Sequence, residues 1–219
     1  MNLNIIYIDN DILVVEKPAG LAVQTGNLIG KDLVSELKNY LSKTNGISDP
    51  YLGIIHRLDQ PVRGLLVFAL NDGAAADLSR KVSGGGFNKC YTALVEGIVD
   101  TKGKWQVLTD YLIKDKSISR ITGKDDKNAK RAELKYRTLM TDRERGVTRL
   151  EIELLTGRFH QIRAQLSNMG HPIVNDQKYG AAKAGTSIGT VGIALCAYRL
   201  SFEHPLTKEK MEYTLTVDF

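Results

Sequence analysis

The sequence predicts an α+β domain built on a largely antiparallel, mixed sheet flanked by helices and loops around a central cleft. Two observations carry this reading. Apolar runs of strand length outnumber helical periodicities, and most neighbouring runs are joined by hairpin-like turns. The chain has 219 residues, 42% hydrophobic and 25% charged, ordinary globular values that suffice for one sizeable core. No internal repeat, low-complexity tract or linker interrupts it, so a single domain over residues 1–219 is expected.

The elements follow in order. Residues 3–16 read as a β-hairpin, with "NIIYI" and "ILVVE" on either side of the turn formers Asp9-Asn10-Asp11. "KPAG" then marks an irregular extended segment. A helix over 31–43 follows from Leu33, Val34, Leu37, Tyr40 and Leu41 at helical spacing. "GLLVFAL" is short and continuously apolar, a buried strand. Asn71 or Asp72 can cap a helix running to Lys81, stopped by Gly84-Gly85-Gly86. "CYTALVEGIV", the alternating "AELKYRTLM" and the alternating "TRLEIELL" are strands. "RFHQIRAQLSNMG" reads as a helix with Arg158 at its opening and Arg163 in its second turn. "GIALCAYRLSF" and "KMEYTLTVDF" close the chain as two strands.

Several function classes fall away on composition. No window approaches the ~18–20 apolar residues of a membrane span. The start "MNLNIIYIDND" lacks a basic region and cleavage signal, so a cytoplasmic location is expected. Cys90 and Cys196 are far apart without metal-ligand spacing and read as reduced thiols. The net charge of +5 is uneven: residues 1–110 carry −1 and residues 111–219 carry +6. Much of the excess lies in 114–145, which has eleven basic and six acidic residues. Such a field suits a polyanion such as RNA, or is a solvated, charged hairpin.

No P-loop, GxGxxG, HExxH or CxxC pair is present, and the four histidines show no i, i+4 pairing. No metal and no cofactor are therefore expected. Three segments are polar where a core former should be apolar: His56-Arg57-Leu58-Asp59, Lys89-Cys90-Tyr91, and Gly157 to Arg163. Singly, Asp59 reads as a loop acceptor or a nucleophile, Tyr91 as a core aromatic, and Arg163 as an ion-pairing residue. A glycoside hydrolase would need a second acid beside Asp59, and none accompanies it in these segments.

Taken together, the segments resemble the RluA-type branch of the pseudouridine synthase family. The resemblance rests on HRLD at 56–59 followed by "GLLVFA", on Lys89, Tyr91, Ala93, Val95 and Gly97, and on "GRFHQIR" at 157–163. It rests also on Gly170 through Gly180 and on Asp11, Val15 and Lys17–Gly20. It runs from residue 5 to the C-terminus. Pro61-Val62-Arg63, Phe159 and Gln165 depart from the commonest family wording. The resemblance implies the pseudouridine synthase fold, starting at the catalytic domain without the S4-type domain of many relatives.

It further implies a cofactor-free isomerisation of uridine within structured RNA, a ribosomal or transfer RNA stem-loop; with no membrane span and no signal of an obligate protein partner in the sequence, a monomer is expected. By resemblance, Asp59, Tyr91 and Arg163 are catalytic, and His56, Arg57, Arg158, Lys17 and Ile162 bind substrate. Asp59 either attacks C1′ or acts as base while a glycal-like intermediate forms. Arg163 is implied as its cationic partner, and Tyr91 as the ring that stacks on uracil. The target uridine has to be flipped out of its stack.

Overall fold

A computed structural model describes residues 3–26, 31–181 and 191–219. Its strands and helices, in chain order, are β1 (Asn4–Ile8), β2 (Ile12–Lys17), α1 (Leu33–Asn45), β3 (Gly53–Ile54), β4 (Arg63–Ala69) and α2 (Asp72–Gly84). There follow β5 (Phe87–Glu96), β6 (Gln106–Asp115), β7 (Ile118–Thr122), β8 (Lys130–Asp142), β9 (Val147–Leu154), α3 (Gln161–Asn168), β10 (Leu195–Glu203) and β11 (Lys210–Thr214). Two compact units emerge, one of Met1–Lys89 with Ala197–Thr216, the other of Cys90–Cys196 with Val217–Phe219.

In the first unit the order is β1-β2-β4-β10, with β3 added to β4 and β11 to β10. The β1–β2 turn forms because Asp9 Oδ1 accepts the N–H groups of Asp11 and Ile12, each at 2.8 Å. Strands β2 and β4 pair antiparallel from Ile12↔Ala69 to Lys17↔Gly64 and are buried along almost their whole length. Alternation sends Ile12, Val14, Leu65 and Val67 to one face, where they meet Leu78 of α2, Phe87, Leu200 and Phe202. Gly64 is required there: a Cβ would lie 2.5 Å from the carbonyl oxygen of Ala197. Its φ of 147° is also one that side chains avoid.

Both helices of this unit are capped as their sequences dictate. Asn71 Oδ1 accepts from Ala74 N at 2.8 Å, and Gly85 closes α2 in the left-handed conformation. Asp32 accepts from Ser35 N at 2.8 Å and Thr25 N at 2.7 Å, so the cap also ties down the preceding loop.

The second unit is an antiparallel sheet in the order β5-β9-β8-β6-β7. Strand β7 lies in the charged tract and β6 runs into it at Lys114 and Asp115; only Leu112 of β6 and Ser119 of β7 are fully buried, so neither shows a clean period-2 alternation. Leu112, Ala132, Ala164 and Tyr179 form a small core, packing α3 onto the sheet.

Helix α3 is shorter than the sequence predicts. His160 takes φ 50°, ψ 27°, a left-handed conformation that no helix continues through, so the helix begins at Gln161. Arg158 consequently precedes the helix and Arg163 lies in its first turn. Nor is α3 amphipathic: Gln161 to Leu166 are all buried.

Candidate active site

Asp59 lies on the loop that enters β4. Its carbonyl accepts from Val62 N at 3.0 Å, closing a turn around Gln60 and Pro61. Gln60 is clamped to the "KPAG" segment by reciprocal bonds. Gly20 N donates to Gln60 O at 2.8 Å, and Gln60 Nε2 donates to Gly20 O at 3.0 Å. Gly20 adopts φ 86°, which places its peptide for this exchange. The half-buried Asp59 therefore stands on backbone fixed from both sides, with its neighbour Leu58 in the core.

Lys17 ends β2 opposite Gly64, which brings its side chain beneath the same loop. Its ammonium is occupied within the fold. The residue is 0% exposed. Its ammonium donates to the carbonyls of Pro18 (2.9 Å), Leu21 (2.8 Å) and Gln60 (3.1 Å), which uses all three N–H bonds. Burial depresses its pKa to about 8, while the Asp59 carboxylate pulls it the other way. Lys17 is thus a fixed positive charge that holds the loop and faces Asp59 electrostatically.

His56 is half-buried and packed within the first unit. Its Nε2 accepts from Val67 N at 3.4 Å, its ring meets Phe87 edge-on at 5.1 Å, and its Nδ1 is sealed from solvent. Burial, helped by the Lys89 charge, lowers its pKa to about 3, so the imidazole is neutral. Arg57, next to it, is exposed.

The remaining expected residues belong to the second unit. Tyr91 is buried on β5, opposite Ile152 of β9. Ile162 is buried within α3. Arg158 is exposed; its Nε donates to Arg131 O at 3.0 Å and its backbone N–H to Gln161 Oε1 at 2.9 Å. Arg163 is buried and grips Asp176 with two bonds, Nε to Oδ2 at 2.7 Å and Nη2 to Oδ1 at 2.9 Å. Its guanidinium also lies over the Tyr179 ring, 4.9 Å from the centroid.

Residue-by-residue reading of the sequence missed three members of this assembly. Asp176 and Tyr179 stand inside Gly170–Gly180, a segment that carried the resemblance without a role for either. Gln161 was the third. Its amide accepts from Thr156 Oγ1 (2.8 Å) and Arg158 N (2.9 Å). It donates to Glu133 O (2.9 Å) and Gln165 Oε1 (3.0 Å). A fully satisfied buried amide of this kind fixes the loop before α3.

Among the described residues one cluster has ligand-type atoms close enough for a metal: Asp9, Asp11 and His204. Its hydrogen bonding argues against that use. Asp9 Oδ1 is taken by two backbone N–H groups, and Oδ2 accepts from the Tyr7 hydroxyl at 2.9 Å. His204 Nδ1 accepts from Leu206 N (3.2 Å) and Thr207 N (3.1 Å), which puts the proton on Nε2, facing Asp9 at 2.9 Å. A histidine so held offers no lone pair to a cation.

Comparison with known proteins decides the family. The model described as RNA pseudouridylate synthase matches residues 11–168. The chain belongs to that family. This pseudouridine synthase is 37% identical to the "Uncharacterized RNA pseudouridine synthase YlyB" of Bacillus subtilis (strain 168), over 97% of this chain and 68% of that protein. It is 31% identical to the "Ribosomal large subunit pseudouridine synthase D" of Zymomonas mobilis, over 96% of this chain and 68% of the relative. The synthase chain thus spans about two thirds of these relatives.

Among solved structures it is similar to "Human RNA Pseudouridylate Synthase Domain Containing 1", with TM-score 0.76 and 25% identity over 99% of this chain and 84% of that one. "Human RNA Pseudouridylate Synthase Domain Containing 4" gives TM-score 0.78 at 20% identity, over 98% of this chain and 88% of that one, a likeness of fold. The α+β class, the RluA-type resemblance and the isomerase class read from the sequence all hold. No described helix is long and apolar enough to cross a membrane.

Proposed function

We propose that this synthase isomerises specific uridines in structured ribosomal RNA, with Asp59 as its reactive carboxylate and no cofactor. One observation carries the assignment of Asp59. Its backbone is closed by the Val62 turn, its neighbour Gln60 is clamped to Gly20, and the buried Lys17 ammonium faces it. A charge held this way costs little reorganisation when the reaction begins. Ribosomal RNA is favoured over transfer RNA because several relatives carry the name of ribosomal large subunit synthases.

In this reading the uracil leaves C1′ at N1, rotates and rejoins through C5, with no atom added or lost. Tyr91 presents its ring to the base. Arg163, held by Asp176 and Tyr179, presents fixed hydrogen-bond donors to the reacting centre, and exposed Arg57 contacts the RNA backbone.

The test is a map of pseudouridines across total RNA from cells with and without the gene. Complementation with the wild-type gene restores the missing sites, and Asp59→Ala does not. Full restoration by Asp59→Ala overturns the assignment of the carboxylate. A map unchanged by loss of the gene overturns the RNA target.

A further inference from the structure

Phe159 is 40% exposed, yet both its carbonyl and its ring are held by neighbours. Its carbonyl accepts from Ser119 Oγ of β7, and its ring stacks on His160 at a centroid distance of 3.8 Å, 20° from parallel. The support continues inward. Ser119 N donates to the Tyr179 hydroxyl at 2.7 Å, which leaves that hydroxyl to donate to His160 Nδ1 at 2.9 Å. Tyr179 in turn lies under the Arg163 guanidinium that Asp176 grips. His160, which follows Phe159, takes the sparsely populated left-handed conformation, a strain that this stack has to sustain.

The surroundings are cationic. The exposed Lys114 ammonium sits over the Phe159 ring, 5.0 Å from its centroid. Lys114 and Lys178 both act on His160, whose pKa burial above all lowers to about 4, so the ring under Phe159 is uncharged. An aromatic face that is rigid, open and beside flexible ammonium groups is the usual means of holding an unstacked nucleobase and its phosphate. A merely structural ring would cover His160 without needing its own π-face.

We infer that Phe159 and Lys114 form a base-stacking and phosphate-holding platform for an unpaired nucleotide of the RNA substrate, outside the residues that perform the isomerisation. The inference rests on the reading that this synthase acts on RNA. The incoming base lies on Phe159, and Lys114 swings from the ring to that nucleotide's phosphate. Phe159 holds the substrate at a point away from the reacting atoms, so its loss raises KM and leaves kcat in place.

The experiment is pseudouridine formation in unmodified, in vitro-transcribed large-subunit ribosomal RNA of the same organism, at varied RNA concentration. Phe159→Ala is expected to raise KM about tenfold, the lower part of the range for base–aromatic stacking, with kcat within about twofold. Phe159→Tyr should match wild type, and Phe159→Leu, apolar without a π-face, should resemble Phe159→Ala. Because the ring is exposed, unfolding midpoints of all three should stay within about 2 °C of wild type. Lys114→Ala should lower the slope of log affinity against log salt by about one contact.

A Phe159→Leu enzyme equal to wild type, or an unchanged KM in Phe159→Ala, overturns the platform. An unchanged salt slope overturns the role of Lys114. A wild-type enzyme that modifies no uridine in this RNA overturns the ribosomal reading itself, whatever the variants do.

Discussion

Lys17 permits a prediction in which activity and stability move in opposite directions with pH. In the unfolded chain its ammonium has the ordinary pKa of 10.5, and burial in the fold lowers this to about 8. Below pH 8 both states carry the proton. Between pH 8 and 10.5 the unfolded state keeps it and the folded state releases it, so stability rises with pH over that window. The difference of two to three pKa units corresponds to about 3 kcal/mol, at ~1.4 kcal/mol per unit. Replacing Lys17 by Met removes this linkage and also leaves the carbonyls of Pro18, Leu21 and Gln60 without the donor they share.

Each orphaned carbonyl costs roughly 1 kcal/mol or more, so Lys17→Met should be less stable at pH 7. The gap between wild type and variant should then widen by about 2–3 kcal/mol by pH 10. Urea unfolding of both proteins at stepped pH measures it, and tyrosines that titrate in the same range cancel in the difference. Catalysis should go the other way. Loss of the Lys17 charge removes the cation that faces Asp59, so wild-type turnover should fall as pH rises through about 8. A stability difference that stays flat from pH 7 to 10 would refute the buried, proton-releasing ammonium. A turnover plateau through pH 9 would refute its coupling to Asp59.

Other perturbations follow from the same geometry. Asp176→Asn leaves the buried Arg163 guanidinium without its bidentate anion and should cost about 3–5 kcal/mol in urea unfolding; a loss below about 1 kcal/mol would mean that other groups carry the charge. Gly64→Ala drives a methyl into the Ala197 backbone at a φ that side chains avoid, so a loss of at least about 2 kcal/mol and a lowered melting temperature are expected. Burial works against ionisation of Asp32, but the N–H groups of Ser35 and Thr25 outweigh it and hold its carboxyl below the ordinary carboxylate range. Its stabilisation is therefore present above about pH 4 and lost as pH falls through the lower folded value. Asp32→Ala should cost about 2 kcal/mol at pH 7 by equilibrium unfolding, and the difference from wild type should shrink in acid.

Much of the frame was legible because local chemistry and global pattern agreed. The Asp9 turn, the cap at Asn71, and the continuous apolar run of β4 each name their structure in a few residues, whereas the cap at Asp32 fell inside the helix read over 31–43. Strands β6 and β7 are hard to read in the sequence, because "QVLTDYLIKD" buries only Leu112 and "ISRIT" only Ser119, and neither alternates cleanly. The start of α3 lies later than the sequence suggests because "RFHQIR" has helical periodicity through His160, whereas in the fold the Tyr179 hydroxyl bonds His160 Nδ1 and Ser119 Oγ bonds the preceding Phe159 carbonyl, with His160 left-handed. Among site residues, Lys17 was visible as a cation but not as a buried one. Three carbonyls from 18, 21 and 60 converge on it only after β2 and β4 pair.

The two buried cations, Lys17 and Arg163, are stabilised by different means, and the difference suits different duties. Arg163 is neutralised in place by the Asp176 carboxylate, with geometry fixed by two parallel bonds and a ring beneath. Such a pair is orientationally stiff but projects little net field. Lys17 is solvated by neutral carbonyls, which satisfy its donors without cancelling its charge, so its field reaches Asp59. The cost of that arrangement is the lowered pKa, an ammonium near the point of losing its proton. A carboxylate in place of any of the three carbonyls would make Lys17 more stable and raise its pKa, and it would also mask the charge that faces Asp59. The carbonyl cradle is therefore better understood as a device for keeping a charge exposed to one neighbour than as a device for stability.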